Sequence, residues 1–214
     1  IGMDGAIAYS SSARIIQAAA NFLVLFFIAS LLSPSEQGFY YTFGSIAGIQ
    51  VFFELGFTGI MTQYVAHEVV HLKLNSSNSY EGEERYISRL AYLIRFCLKW
   101  YSVITVLFFI IVVIVGFVFF NRYDVDGETV SWKGPWILMS IATAIKLFQT
   151  PFNSILIGLG KVKEMNKVLF FQQLFIPTAL ILGLFLGMKL YVVGFSILVG
   201  VCTWFFFVLK SQHF

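Results

Sequence analysis

Glu54 and Lys146 are the residues with the clearest chemical potential, because each carries a charge near the middle of a long apolar stretch. A charged side chain at the centre of a bilayer costs about 3 kcal/mol or more, so it normally faces protein or a water-filled cavity. Lys146 would attract an anion such as a phosphate, since a lysine ammonium acts as a compact point charge. Glu54 could balance that charge, or carry a coupling proton or sodium ion. The alternative is a structural ion pair between the two residues.

Polar side chains at helical spacing accompany both charges. Residues three and four apart share one face of a helix, and four apolar stretches each carry a polar stripe of this kind. With the stripes packed inward, these helices would enclose a hydrated, partly cationic cavity. The candidate cavity residues are Arg14, Gln17 and Asn21 in the first stripe, Gln50 and Glu54 in the second, Lys146, Thr150 and Asn153 in the third, and Gln173 in the fourth. The alternative for the amides is hydrogen bonding between helices.

The segment HEVVH, residues 67–71, formally matches a zinc-binding pattern. That pattern requires both histidines on one face of a helix and a third ligand nearby. No third ligand is apparent, and Cys97 and Cys202 show no metal-ligand spacing. We therefore predict no metal site, no cofactor other than a possible coupling proton or sodium ion, and no enzymatic activity. A membrane-embedded metalloenzyme is the alternative that HEVVH supports.

The composition indicates that these residues belong to a membrane protein. The chain is 58% hydrophobic and 12% charged, whereas soluble domains carry about a quarter charged residues. Six stretches are long enough to cross a bilayer as helices, and the alternating pattern of membrane strands is absent. We predict an all-α polytopic bundle in a single domain, 1–214. Its spans are 14–32, 39–66, 96–120, 136–159, 168–188 and 190–209, and glycines 44, 48, 56 and 59 are predicted to permit close helix packing.

The distribution of Lys and Arg predicts the orientation. Cytoplasmic loops are enriched in these residues, and most of them fall on one side of the six predicted spans. The inner side would hold Arg14, Lys73, Arg85, Arg89, Arg95, Lys99, Lys161, Lys163, Lys167 and Lys210, and the outer side Arg122, Lys133 and Lys189. Both termini of the segment are thus expected in the cytoplasm. The cytoplasmic loop 67–95 is predicted to end in a basic amphipathic helix on the inner leaflet or, equally, in an extension of the third span.

Residues 31–68 resemble the opening of the polysaccharide flippases in the MATE-like multidrug/oligosaccharidyl-lipid/polysaccharide exporter superfamily. The resemblance lies in LSPSEQGFY at 32–40, ELG at 54–56, YVAHE at 64–68, and GLGK at 158–161 followed by Asn166. It implies two six-helix lobes around a cavity that opens to each side in turn, with this chain as the N-terminal lobe. Members of the polysaccharide branch move polyprenyl-pyrophosphate-linked oligosaccharide from the inner to the outer leaflet.

The resulting expectation is a lipid-linked oligosaccharide flippase of a bacterial inner membrane, without covalent chemistry. Its partners would be the lipid-linked substrate, membrane lipids and a second six-helix lobe. The small net charge of +3 does not suggest nucleic-acid binding. One alternative is a cation-coupled multidrug exporter of the same superfamily, against which the Lys- and Arg-containing stripes argue. Another is a purely structural membrane partner, in which Glu54 and Lys146 would be dispensable.

Overall fold

The computed structural model describes residues 2–54, 56–74, 80–123 and 130–211. Residues 75–79 of the predicted cytoplasmic loop and Leu55 of the predicted second span lie outside the described residues. The helices are α1 (Gly2–Leu31), α2 (Pro34–Ala47), α3 (Gln50–Glu54), α4 (Phe57–Val69), α5 (Glu84–Tyr123), α6 (Lys133–Gly158), α7 (Val162–Phe185) and α8 (Tyr191–Ser211). Two short strands, β1 (Leu72–Leu74) and β2 (Tyr80–Gly82), pair as an antiparallel hairpin.

Five helical stretches are long and apolar enough to cross a membrane. They are Tyr9–Leu31, Pro34–Val69, Glu84–Arg122, Val162–Phe185 and Tyr191–Lys210. The prediction of a helical chain with several helices long and apolar enough to span a membrane is therefore confirmed. The predicted fourth span corresponds to α6, which has 26 residues and is long enough to cross a bilayer, but which is less apolar than the other five.

The polar content of α6 follows from its central position. This helix packs against α4, α5 and α8, and more lightly against α7. Its buried polar residues are Ser140, Thr143, Gln149 and Ser154. Because these side chains face protein instead of lipid, α6 does not need the uniformly apolar surface of a lipid-facing helix.

An aromatic core fixes one end of the bundle. The rings of Phe43 and Phe120 lie 4.9 and 5.1 Å from the ring of Trp136, both edge to face, a favoured geometry for aromatic pairs. Gly116 on α5 allows this approach, since a Cβ there would lie 2.0 Å from the Trp136 indole. We call this the aromatic end. It joins α2, α5 and α6 where three predicted spans meet.

The opposite end, here called the hairpin end, holds the β1–β2 hairpin and the start of α5. His71 stacks on Tyr86 with ring centroids 4.3 Å apart, and Val65 on α4 lies against Gly158 at the end of α6. Residues 84–95 belong to the same continuous helix as the third span, α5. They therefore form an extension of that span and not a separate surface helix.

The second span differs most from its prediction. The sequence predicted one helix over 39–66, whereas the structure has three helices there, with one helix break between α2 and α3 and another between α3 and α4. The packing role predicted for its glycines is also wrong for three of them, because a Cβ at Gly44, Gly56 or Gly59 would meet nothing within 4 Å. Gly56 instead serves the second interruption, with a φ of +72° that side chains other than glycine adopt at a cost.

Candidate functional site

The interruption after α3 places Glu54 at a helix end inside a membrane span. Glu54 is the last residue of α3, and Gly56 is the N-cap of α4. An interrupted helix leaves backbone N–H and C=O groups without partners in their own helix, which at membrane depth is tolerated only against protein or water. Discontinuous helices of this kind surround substrate and ion sites in many transporters. The break is therefore the part of the second span best suited to bind a polar group.

Hydrogen bonds connect Glu54 to α6. Gln50 Nε2 donates to Glu54 Oε1 at 2.8 Å, and Thr150 Oγ1 donates to the same oxygen at 3.5 Å. All three side chains are half-buried. Three of the predicted cavity residues thus come together from two elements. Because both donors meet one oxygen, the second carboxylate oxygen stays available for a further donor.

Tyr101 on α5 adds a buried hydroxyl that sequence reasoning missed. Its side chain is fully buried, and its hydroxyl has no hydrogen-bond partner among the described residues. The ring lies 6.0 Å from that of Phe57, which is the first residue of α4 and follows Glu54 by three positions. An unpartnered buried hydroxyl costs about 1–3 kcal/mol. The sequence shows only that Tyr101 is a tyrosine inside the predicted third span. Which residues surround its hydroxyl depends on the tertiary fold and could not be predicted.

Lys146 stands on the same face of α6 as Thr150, one turn away. Its side chain is exposed, and no acidic group of the described residues lies within ion-pair distance of it. The structural ion pair considered between Lys146 and Glu54 is therefore absent. If α6 crosses the membrane as the predicted fourth span, an exposed ammonium at its middle needs water, protein or an anion beside it.

Asn153 belongs to the contact between α6 and α8. Its side-chain oxygen accepts a hydrogen bond from Trp204 Nε1. Two glutamines, which were not among the predicted site residues, donate to backbone carbonyls of α8: Gln149 to Val201 at 3.4 Å and Gln172 to Gly200 at 2.8 Å. Asn153 therefore takes part in hydrogen bonding between helices, which was the alternative interpretation of the amide side chains.

The remaining predicted residues lie apart from Glu54. Arg14, Gln17 and Asn21 are exposed on α1, which packs mainly along α7. Gln173 on α7 is half-buried, next to the bonded Gln172. The described contacts do not bring these four side chains to the Glu54 site. The predicted cavity lined by all four stripes therefore stays a prediction.

A second polar contact, also missed, ties the turn before α2 to the turn before α8. Ser33 caps α2 and accepts from the Glu36 backbone, while Glu36 Oε2 accepts from the Ser33 backbone at 3.0 Å. The other carboxylate oxygen binds Lys189 Nζ at 2.9 Å. The sequence LSPSEQ thus forms a capping box, a device of helix starts in general, so this part of the resemblance has a local structural cause.

The HEVVH segment does not form the helical arrangement that its pattern requires. Helix α4 ends at Val69, so His67 belongs to the helix and His71 lies beyond it. The two imidazole rings are 5.7 Å apart, and His71 stacks on Tyr86. Within the described ranges, no group of three or more His, Cys, Asp or Glu residues could hold a metal ion.

In comparisons with known proteins, no protein-family model, curated protein or solved structure matches this chain. The resemblance of residues 31–68 to the MATE-like flippases therefore stays a prediction from sequence motifs.

Proposed function

We propose that this chain is one lobe of a transporter that flips polyprenyl-pyrophosphate-linked oligosaccharide across a bacterial inner membrane by alternating access. The observation that carries the proposal is the interrupted second span. Its half-buried Glu54 bonds to Thr150, and the exposed Lys146 stands one turn from Thr150 on the same face of α6. Both groups are expensive at membrane depth, and such groups commonly line the pathway of a substrate or ion.

The two charges would have separate roles in this transporter. Lys146, which has no acidic partner in the described part of the chain, would bind the pyrophosphate as a point charge. Glu54, held by Gln50 and Thr150, would respond to a coupling proton or sodium ion. A helix interrupted next to Glu54 can change its packing without breaking a regular hydrogen-bond ladder, as the reorientation of a transport site requires.

The proposal includes a second six-helix lobe and cytoplasmic placement of the hairpin end. The basic residues that the sequence assigns to the inner side include Arg85, Arg89, Arg95 and Lys99, all in the half of α5 nearest the hairpin. Arg14, exposed on α1, would then stand at the cytoplasmic mouth, where the substrate pyrophosphate enters. The second lobe would complete the cavity opposite Lys146.

A cation-coupled multidrug exporter is the second candidate, and one observation favours it. Phe57 follows Glu54 by three residues at the start of α4, and its ring lies 6.0 Å from that of Tyr101. Carboxylates and aromatic faces together suit organic cations. The exposed Lys146 would repel such a substrate and favours the flippase.

The test is transport of a labelled polyprenyl-pyrophosphate oligosaccharide across proteoliposomes that contain the chain joined to its proposed second lobe. Lys146→Gln should reduce transport by tenfold or more, since one unit of anion-binding charge at a low-dielectric site is worth about 1.4 kcal/mol or more. Lys163→Gln is the matched control, because Lys163 is an exposed lysine in the first turn of α7. Equal transport by both variants would remove Lys146 from the site.

A further inference from the structure

A groove on the outside of the bundle lies between α5 and α6. Its volume is about 360 Å³, and its walls include Thr105, Val106 and Phe109 from α5 and Ile141 and Phe148 from α6. Val106 and Ile141 are 57% and 40% exposed, so the groove opens sideways, where a membrane-spanning chain meets lipid. The groove residues of α6 lie roughly opposite Lys146 on the helix. The groove is therefore separate from the proposed transport site.

Two cationic side chains, Arg95 and Lys99, lie on α5 between this groove and the hairpin end. Lys99 precedes Val106 by seven residues, and Arg95 precedes Phe109 by fourteen, so each cation lies nearly in line with a groove residue. At 1.5 Å per residue, Lys99 is about 10 Å and Arg95 about 20 Å towards the hairpin end from those residues. Both side chains are exposed, and neither forms an ion pair within the described ranges.

Exposed aromatic residues lie on the same part of α5 as Arg95 and Lys99. Tyr92 is 72% exposed and Trp100 is 49% exposed, and residues of these two types concentrate at the boundary between lipid headgroups and acyl chains. Arg95 and Lys99 fall between them in the sequence. The cations therefore lie at headgroup depth, and the apolar groove below them lies at acyl-chain depth.

We propose that α5 and α6 bind an anionic phospholipid from the leaflet at the hairpin end. Its phosphate contacts Arg95 and Lys99, and one acyl chain lies in the groove. Two unneutralised cations select the negative headgroup, while the apolar walls select a lipid over a soluble phosphate. In the orientation proposed above this is the cytoplasmic leaflet, whose anionic lipids attract basic residues next to a span. The site does not depend on the transported substrate.

Native mass spectrometry of the full chain tests this site. The chain is released from micelles that contain equal amounts of phosphatidylglycerol and phosphatidylcholine with identical acyl chains, and the retained lipid is identified by mass. Each Lys or Arg near an anionic surface contributes about fivefold in affinity. The wild-type chain should therefore retain one phosphatidylglycerol with a preference on the order of tenfold or more.

Three variants separate the headgroup contact from the groove. Arg95→Gln combined with Lys99→Gln should abolish the preference, whereas Arg85→Gln combined with Arg89→Gln should preserve it, because those two exposed arginines lie further from the groove on the same helix. Ile141→Trp keeps every charge but fills the groove, and should also abolish retention. The melting temperature of each variant, measured alongside, identifies any that is misfolded.

Two results would overturn the phospholipid site. Equal retention of both lipids by the wild-type chain would mean ordinary annular lipid. Displacement of phosphatidylglycerol by a polyprenyl pyrophosphate at equal concentration would assign the groove to that lipid instead. If the wild-type protein failed to transport the oligosaccharide, the proposal of a phospholipid site would still stand, because that proposal is tested by lipid binding and not by transport.

Discussion

At the level of single residues, Glu54 and Tyr101 hold the most informative polar atoms. Glu54 accepts two hydrogen bonds on one oxygen, while the Tyr101 hydroxyl neither donates to nor accepts from any of the described residues. Buried polar groups are normally paired. An unpaired one beside an interrupted helix suggests a donor reserved for a state or ligand other than the one described.

Tyr101→Phe distinguishes a functional hydroxyl from a structural one. The substitution removes only the oxygen, so it should leave stability unchanged or raise it by about 1 kcal/mol, since an unsatisfied buried group disappears. Transport of the lipid-linked oligosaccharide should fall at the same time. Thermal melting in detergent gives the first quantity and the proteoliposome assay the second. A clear loss of stability would mean that the hydroxyl already has a structural partner.

At the level of elements, hydropathy identified the apolar helices but not their interruptions. Long apolar stretches are a local property of the sequence, so the first, third, fifth and sixth predicted spans correspond to α1, α5, α7 and α8. Gly56 takes part in the break after Glu54 through its φ of +72°, whereas the bond to Glu54 from Thr150, 96 residues later in the sequence, depends on the tertiary fold. Helical periodicity grouped Gln50 with Glu54 and Lys146 with Thr150. It could not show that Asn153 bonds to Trp204, because that requires knowing which helix lies beside α6.

The packing of α5 against α6 gives a prediction about glycines. Gly116→Ala should destabilise the chain by about 1–3 kcal/mol through overpacking, because its Cβ would lie 2.0 Å from the Trp136 indole. Gly44→Ala is the matched control, since a Cβ there meets nothing within 4 Å. The free energy of unfolding in mixed micelles measures both. Equal effects of the two substitutions would show that α5 and α6 do not pack at Gly116 as described.

At the level of the whole molecule, the exposed surface fits lipid in some places and calls for protein or water in others. Apolar side chains such as Ile15, Phe22 and Phe26 cover the outside of α1 and are 71%, 73% and 63% exposed. The polar residues Arg14, Gln17 and Asn21 share α1 with them but are also exposed. A second lobe or a water-filled cavity on that side would satisfy these polar groups.

Thiol labelling tests the proposed orientation. Ser88→Cys at the hairpin end and Ser131→Cys at the aromatic end are both at exposed positions, and a Cys202→Ala background leaves only the buried Cys97. An impermeant maleimide should label Ser88→Cys from the cytoplasmic side alone and Ser131→Cys from outside alone. Val106→Cys, inside a span, should not be labelled from either side. The reverse pattern would invert the assignment of the two ends.

The most direct test of the transport proposal is a competition in one set of proteoliposomes containing the chain joined to its proposed second lobe. A labelled polyprenyl-pyrophosphate oligosaccharide and a fluorescent organic cation are offered together, and the movement of each is followed separately. The proposed function predicts that the oligosaccharide crosses and the cation does not, and that Lys146→Gln reduces the crossing by tenfold or more. Efflux of the cation without movement of the oligosaccharide would contradict it and identify a multidrug exporter.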